Sequence, residues 1–216
     1  AFIILLPFSR DIFTLVSEPL REVLPGNAMI ATAVASPLLT PFKLTFFAAL
    51  FLVMPVVLFQ VWNFIAPGLY KNEKRFAIPL LATSIVLFYL GIAFAYFVVF
   101  PLIFGFFTSI APEGVEVQTD ITQFLDFITT IVFAFGIAFE VPVATVLIVW
   151  AGLTNIEKLA KARPYVFLMA FIAGMFLTPP DVISQSLLAV PVYLLYELGI
   201  IMSKVFVSKK SESDSS

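Results

Sequence analysis

The run Leu44-Thr45-Phe46-Phe47-Ala48-Ala49-Leu50-Phe51-Leu52-Val53-Met54-Pro55-Val56-Val57-Leu58-Phe59-Gln60 continues without a charged side chain as far as Tyr70. A bilayer core about 30 Å thick needs roughly 20 apolar residues in helical form, and this stretch exceeds that need. Inside hydrocarbon each backbone N–H and C=O must be satisfied within its own segment, which dictates helix. Phe76 to Pro112 is a second uncharged run of the same kind. Across all 216 residues, 61% are hydrophobic and 12% charged, with a mean hydropathy of +1.07. This balance excludes a soluble enzyme domain and predicts an integral, all-α, multi-span membrane protein.

Working outward, the second membrane helix is expected from about Lys43 to Ala66 and the third from about Phe76 to Ser109. The fourth runs from about Ile121 to Gly152 and is interrupted by Glu140. Tyr165 to Thr178 lies between Pro164 and Pro179-Pro180 and would measure only about 21 Å as a helix. It pairs with a helix from about Asp181 to Val207, so the last two spans read as a short hairpin that would thin the bilayer locally. The apolar run Ala1 to Pro7 is too short to cross and lacks the basic flank of a signal peptide; it reads as the remainder of a truncated first helix. Residues of about 9–42 form an outer cap, with an amphipathic segment broken into turns at Pro19, Pro25-Gly26-Asn27, Pro37 and Pro41. A Ser-rich tail of about 208–216 is expected to be disordered. Pro55, Pro79, Pro101, Pro142 and Pro191 should bend their helices, giving a six-span bundle with a concave face.

Lys71, Lys74 and Arg75, then Lys158, Lys161 and Arg163, then Lys204, Lys209 and Lys210 cluster on one side of the predicted spans. The rule that basic loops stay inside makes this face cytoplasmic and puts both termini there. The net charge of −2 offers no basic stripe for nucleic acid. With no Cys and no His, disulfides, a thiolate nucleophile, Cys/His zinc sites and a Ser-His-Asp triad are excluded. The chain carries no phosphate-binding or serine-esterase motif. Neither enzymatic turnover nor a cofactor or metal is expected.

Three groups of residues could carry chemistry. Glu140, in Phe139-Glu140-Val141-Pro142, stands inside an apolar span, where an acid costs several kcal/mol unless protonated, hydrated or paired. It is either functional or a hydrogen-bond donor to a carbonyl freed by Pro142. Asp126 and Glu197 do not extend it into a proton relay. Glu73, among Lys71, Lys74 and Arg75, reads from composition alone as a solvated surface pair. Thr178, Asp181 and Gln185 surround the hairpin turn; Asp181 suits a helix N-cap, and Gln185 suits a surface for another membrane helix.

At these same residues the chain resembles a known family. Met29-Ile30-Ala31-Thr32, Phe64-Ile65-Ala66-Pro67-Gly68-Leu69-Tyr70 with Glu73, Ala95-Tyr96-Phe97-Val98-Val99-Phe100-Pro101, Phe139-Glu140-Val141-Pro142 and Leu177-Thr178-Pro179-Pro180-Asp181 are similar to TatC, the multispanning core of the twin-arginine protein translocase. The resemblance implies a cytoplasm-facing receptor for twin-arginine signal peptides in the bacterial inner membrane. Such a receptor associates with itself and with single-span partners, TatB and TatA, to move folded proteins on the proton-motive force. It further implies that Glu73 contacts the arginine pair beside an apolar wall including Phe64, and that Glu140 is the buried glutamate of the concave face. Thr178, Asp181 and Gln185 would dock partner helices, and Pro19 and Asp120 would belong to the outer cap and loop. The family's acidic N-terminal stretch has no counterpart here. The competing readings are a proton-coupled small-molecule transporter centred on Glu140 and a passive anchor for other helices.

Overall fold

The computed structural model describes residues 1–23, 30–31, 35–65, 74–109, 120–178 and 181–213; within them the side chains of 18–23, 64–65, 74–77, 108 and 206–213 fall outside the description. Among the described residues the chain is helical, without a named strand. Helix α1 (Phe2–Leu5) passes through a 3-10 turn into α2 (Ser9–Val23), followed by α3 (Ser36–Ile65) and α4 (Lys74–Phe94). A π turn at Ala95–Val99 leads to α5 (Phe100–Ser109); then come α6 (Ile121–Ala138), α7 (Val141–Trp150), α8 (Ile156–Leu177) and α9 (Val182–Ser213). Five stretches are long and apolar enough to cross a membrane: Ser36–Asn63, Ile78–Phe107, Ile121–Trp150, Ile156–Leu177 and Val182–Val205. Their lengths are 28, 30, 30, 22 and 24 residues, so the last two remain the shortest.

Several predicted boundaries move, each for a local reason. Helix α3 begins at Ser36, not near Lys43: Pro37 falls in the first turn, where a missing N–H costs little, and Pro41 is carried inside the helix. Helix α2 likewise continues through Pro19. Pro164 does not start α8 but lies within it. The preceding residues are good helix formers, and Asn155 caps them by accepting the Lys158 N–H at 2.8 Å. Those added turns bring the helix to 22 residues, about 33 Å, but they carry Glu157, Lys158, Lys161 and Arg163, so the uncharged part after Arg163 keeps the length of about 21 Å expected from the sequence. Helix α9 reaches Ser213, beyond the Ser208 at which composition alone predicts disorder.

Proline chemistry also marks the interruptions. Pro101 has no N–H for the carbonyl of Phe97, and the helix ahead of it widens so that Phe100 N–H donates to Ala95 C=O. Pro142 likewise has no N–H for the carbonyl of Ala138, where α6 ends; there the chain tightens instead, with Glu140 N–H donating to Ile137 C=O at 3.0 Å, and a turn at Phe139 and Glu140 separates α6 from α7. Between α7 and α8, Gly152 takes φ +72, a left-handed conformation that glycine adopts freely. Leu153 N–H then closes on Ile148 C=O at 3.1 Å and Gly152 N–H on Val149 C=O at 3.0 Å, a Schellman stop.

Tertiary contacts divide the chain into two units, Ala1–Val57 with Phe94–Phe133 and Leu58–Ala93 with Ala134–Ser216. In the first, Ile103, Phe124, Leu125, Ile128 and Ile131 are buried, and the Phe104 ring packs on Phe124 and Phe127. Tyr96 Oη donates to Leu15 C=O at 2.9 Å, fastening α2 to the π turn. In the second, Trp62, Leu80, Val143 and Val146 form a core with Leu87, Leu147 and Met202 against it. A Cβ at Gly91 would lie 2.6 Å from Phe135 O, and one at Gly136 would lie 2.7 Å from the Phe88 ring. These glycines let α4 approach α6 closely.

Candidate functional site: an intramembrane carboxyl group and a polar turn

Glu140 occupies the interruption between α6 and α7, not the middle of one continuous helix. The interruption follows from Pro142, and it turns Glu140 toward α4, where Ser84 Oγ donates to Glu140 Oε2 at 2.5 Å. Ser84 is 1% exposed. The other carboxyl oxygen, Oε1, is buried without a hydrogen-bond partner among the described residues. Leaving a buried polar atom unmatched costs about 1–3 kcal/mol, so the site keeps an unmet polar atom in an apolar setting. One turn on, Thr145 Oγ1 donates to Pro142 C=O at 2.8 Å, returning a polar contact to the disturbed backbone.

Ser84 is the residue that sequence reasoning missed here. Its signal was present in the adjacent Thr83 and Ser84, two hydroxyls early in the uncharged third span. The two hydroxyls diverge. Thr83 Oγ1 donates back to Pro79 C=O at 2.9 Å, an i to i−4 bond within its own helix, whereas Ser84 crosses to Glu140.

The turn between α8 and α9 gathers the second set. Thr178 is buried, and both its N–H and its Oγ1 donate to Gly174 C=O, at 2.9 and 3.0 Å. Its hydroxyl therefore ends α8. Asp181 Oδ2 accepts the Ser184 N–H at 2.6 Å, the N-cap role expected of it. Gln185 packs its backbone and Cβ over Gly174. Asp181 Oδ1 and Ser184 Oγ are buried without partners among the described residues, so the unmet polar capacity lies with Asp181 and Ser184 and not with the Thr178 hydroxyl. Ser184 was not foreseen, although its spacing from Asp181 is that of a capping pair.

Asp120 is 8% exposed and caps α6: its Oδ1 accepts the N–H of Thr122 at 2.8 Å and of Gln123 at 3.1 Å. Ile30 C=O accepts the Ile121 N–H at 2.9 Å, which joins Asp120's turn to the segment after α2. Pro19 lies in α2 and Phe64 in α3, but their side chains are outside the description; Glu73 lies outside the described residues altogether. The structure thus brings together Glu140 with Ser84, and Thr178 with Asp181 and Ser184. No group of three or more acidic side chains suited to a metal ion occurs among the described residues.

Comparison with known proteins identifies relatives of the chain as a whole. The family model described as Sec-independent protein translocase protein (TatC) matches residues 1–191. A Sec-independent protein translocase protein TatC from Azotobacter chroococcum is 62% identical over 200 residues, covering 92% of this chain and 78% of its own length. The protein of that name from Escherichia coli K12 is 57% identical over 209 residues, covering 96% and 81%. A crystal structure of the twin arginine translocase receptor TatC matches with a TM-score of 0.85 at 35% identity, over 94% of this chain and 90% of that one.

Proposed function

This chain belongs to the TatC family of Sec-independent protein translocase proteins, and from that premise we propose that it is the receptor for twin-arginine signal peptides and the scaffold on which the translocase assembles. It is a multi-pass membrane protein and a component of a system built from protein partners. The observation that carries the receptor reading is the likeness to a solved twin arginine translocase receptor over nearly the whole chain.

In this reading Glu73 receives the substrate's arginine pair on the cytoplasmic face of the bacterial inner membrane, beside Phe64. A carboxylate accepts two parallel hydrogen bonds from a guanidinium, a geometry that a lysine ammonium does not reproduce. The apolar part of the signal lies along the membrane helices, and Glu140 Oε1 offers an acceptor to a donor that enters the bilayer. Partner helices of the TatA and TatB kind dock at the turn bearing Thr178, Asp181 and Gln185, and the outer elements with Pro19 and Asp120 support assembly. The proton-motive force supplies the energy.

Site-specific photo-crosslinking from position 73 tests the receptor reading with two signal peptides differing only in Arg-Arg or Lys-Lys. Labelling of the Arg-Arg peptide should exceed that of the other by about tenfold, the equivalent of 1.4 kcal/mol. Equal labelling would overturn the assignment.

A further inference from the structure

A second polar feature lies on an exposed face of the first unit. Lys43 Nζ on α3 bridges to Asp126 Oδ1 on α6, and the two side chains are 50% and 47% exposed. Lys43 is seven residues into α3 from Ser36, about 10 Å along the axis. The 28-residue span is about 42 Å long, so against a hydrocarbon core of about 30 Å roughly 6 Å projects at each end when it is centred. The pair therefore lies a few ångströms inside the apolar boundary. Half-exposed charges at that depth retain bonding capacity that acyl chains cannot meet. Among the described residues the Lys43 ammonium hydrogen-bonds to Asp126 alone, and the Asp126 carboxylate to Lys43 alone.

The surroundings are two-sided. Gln123, Asp126 and Thr130 share one face of α6, and Gln123 and Thr130 are exposed. On α3 the residues below Lys43 on its own face, Phe46, Leu50 and Val53, are apolar and exposed or half-buried. A polar shelf thus sits above an apolar slope, matching the headgroup and acyl chain of one lipid. The shelf carries adjacent positive and negative groups.

We infer that this outer face of α3 and α6 is a binding site for a phospholipid whose headgroup carries both a phosphate and a primary ammonium. The phosphate accepts hydrogen bonds from the remaining N–H groups of Lys43, the ammonium donates to Asp126, and one acyl chain follows Phe46 and Leu50 inward. A choline headgroup has the same charges but no N–H for Asp126. A glycerol headgroup has no cation to balance the acid. Discrimination should therefore follow N–H donation, not net charge.

The experiment gives the purified protein equimolar phosphatidylethanolamine, phosphatidylcholine and phosphatidylglycerol of matched chain length and counts retained lipids by native mass spectrometry. Phosphatidylethanolamine should exceed phosphatidylcholine by about three- to tenfold, the range of one net hydrogen bond at a half-exposed site. Lys43→Leu with Asp126→Leu should abolish that preference, whereas Lys43→Asp with Asp126→Lys should keep it, because a zwitterion can dock either way round. Equal retention of the ethanolamine and choline lipids, an excess of phosphatidylglycerol, or a preference that survives the double leucine change would each overturn the site. The unaltered protein suffices for the first two outcomes, independently of whether any variant folds. A photo-crosslinker at Leu39 in vesicles of the same lipids should label lipid; predominant labelling of a second copy or of a single-span protein would assign the face to that occupant instead.

Discussion

Helix α9 is held on its two flanks by different means. Toward α7, Gly199 comes so near that a Cβ there would overlap Thr145 Oγ1 and lie 3.0 Å from the Pro142 Cα, and Thr145, Val146 and Ile200 are all buried. Toward α8, a Cβ at Gly174 would meet nothing closer than Gln185 O at 3.5 Å, an ordinary contact. Polar bonds farther along do much of the joining. Arg163 Nε and Nη2 donate to the two oxygens of Glu197 at 2.6 and 2.8 Å, Tyr193 Oη donates to Glu197 at 3.0 Å, and Tyr196 Oη donates to Leu159 C=O at 2.8 Å. Lipid tails are as apolar as leucine, so helices associate in a bilayer through close packing or through interhelical hydrogen bonds. The α7 flank uses the first and the α8 flank more of the second. Most of α8 is left uncovered, including Tyr165, Met169 and Phe176, which suits a helix that meets other helices.

The largest way to break this contrast is Gly199→Ala. The added methyl must displace Thr145 and press on the backbone of Pro142, an overpacking cost of about 1–3 kcal/mol. Thermal unfolding in detergent should show a clear fall in the midpoint. Because Pro142 fixes the interruption at Glu140, the same change should weaken the Ser84 to Glu140 bond. Adding Thr145→Ala should recover part of the loss, making the pair non-additive. Additive losses, or an unchanged midpoint for Gly199→Ala alone, would mean that the close approach does not hold α9.

Asp181→Ala comes next and acts at the turn where the α8 flank begins. It removes the cap from Ser184 N–H and should cost about 1 kcal/mol, within the usual range of about 0.5–2 for such caps. Asp181→Asn keeps a capping oxygen but loses the charge. If capping is the whole role, Asn restores both the melting midpoint and crosslinking to a partner helix. If the carboxylate itself docks the partner, Asn restores the midpoint and not the crosslink. Loss of the midpoint in Asn as well would show that the turn needs the charge for its own stability.

The two flanks also show what a sequence can and cannot disclose. Spans were legible because crossing a bilayer demands long uncharged runs, and Asp181 was legible because a cap is a local event. Glu140 stood out as an acid where water is scarce, and Pro142 beside it foretold a disturbed helix. Partnership was not legible. Ser84 and Glu140 are 56 positions apart, Arg163 and Glu197 are 34 apart, and Lys43 and Asp126 are 83 apart, so each pairing is set by tertiary packing that no local period encodes. Proline misleads about helix starts, because it does not stop a helix from its first turn, where Pro37 sits, nor after seven strong helical residues, which Pro164 follows. Glu73 and Phe64 came from family likeness alone; composition made Glu73 a surface pair.

The smallest expected effect is the sharpest control. Gly174→Ala adds the same methyl as Gly199→Ala, but at the other flank of α9, from α8 toward Gln185. Its new atom would lie at 3.5, 3.6 and 3.8 Å from the nearest atoms of Gln185, which is ordinary packing distance. Alanine is also the better helix former by roughly 0.8–1 kcal/mol in an exposed helix interior, an advantage reduced where the backbone is already fixed by neighbours. The Gly174 carbonyl keeps both donors from Thr178, since neither bond involves the α-hydrogen that is replaced. The midpoint should therefore stay level or rise slightly, and crosslinking of partner helices at the turn should persist. A loss as large as that of Gly199→Ala would show that α8 is packed as closely as α7, and the distinction between a sterically locked flank and an adaptable one would fail.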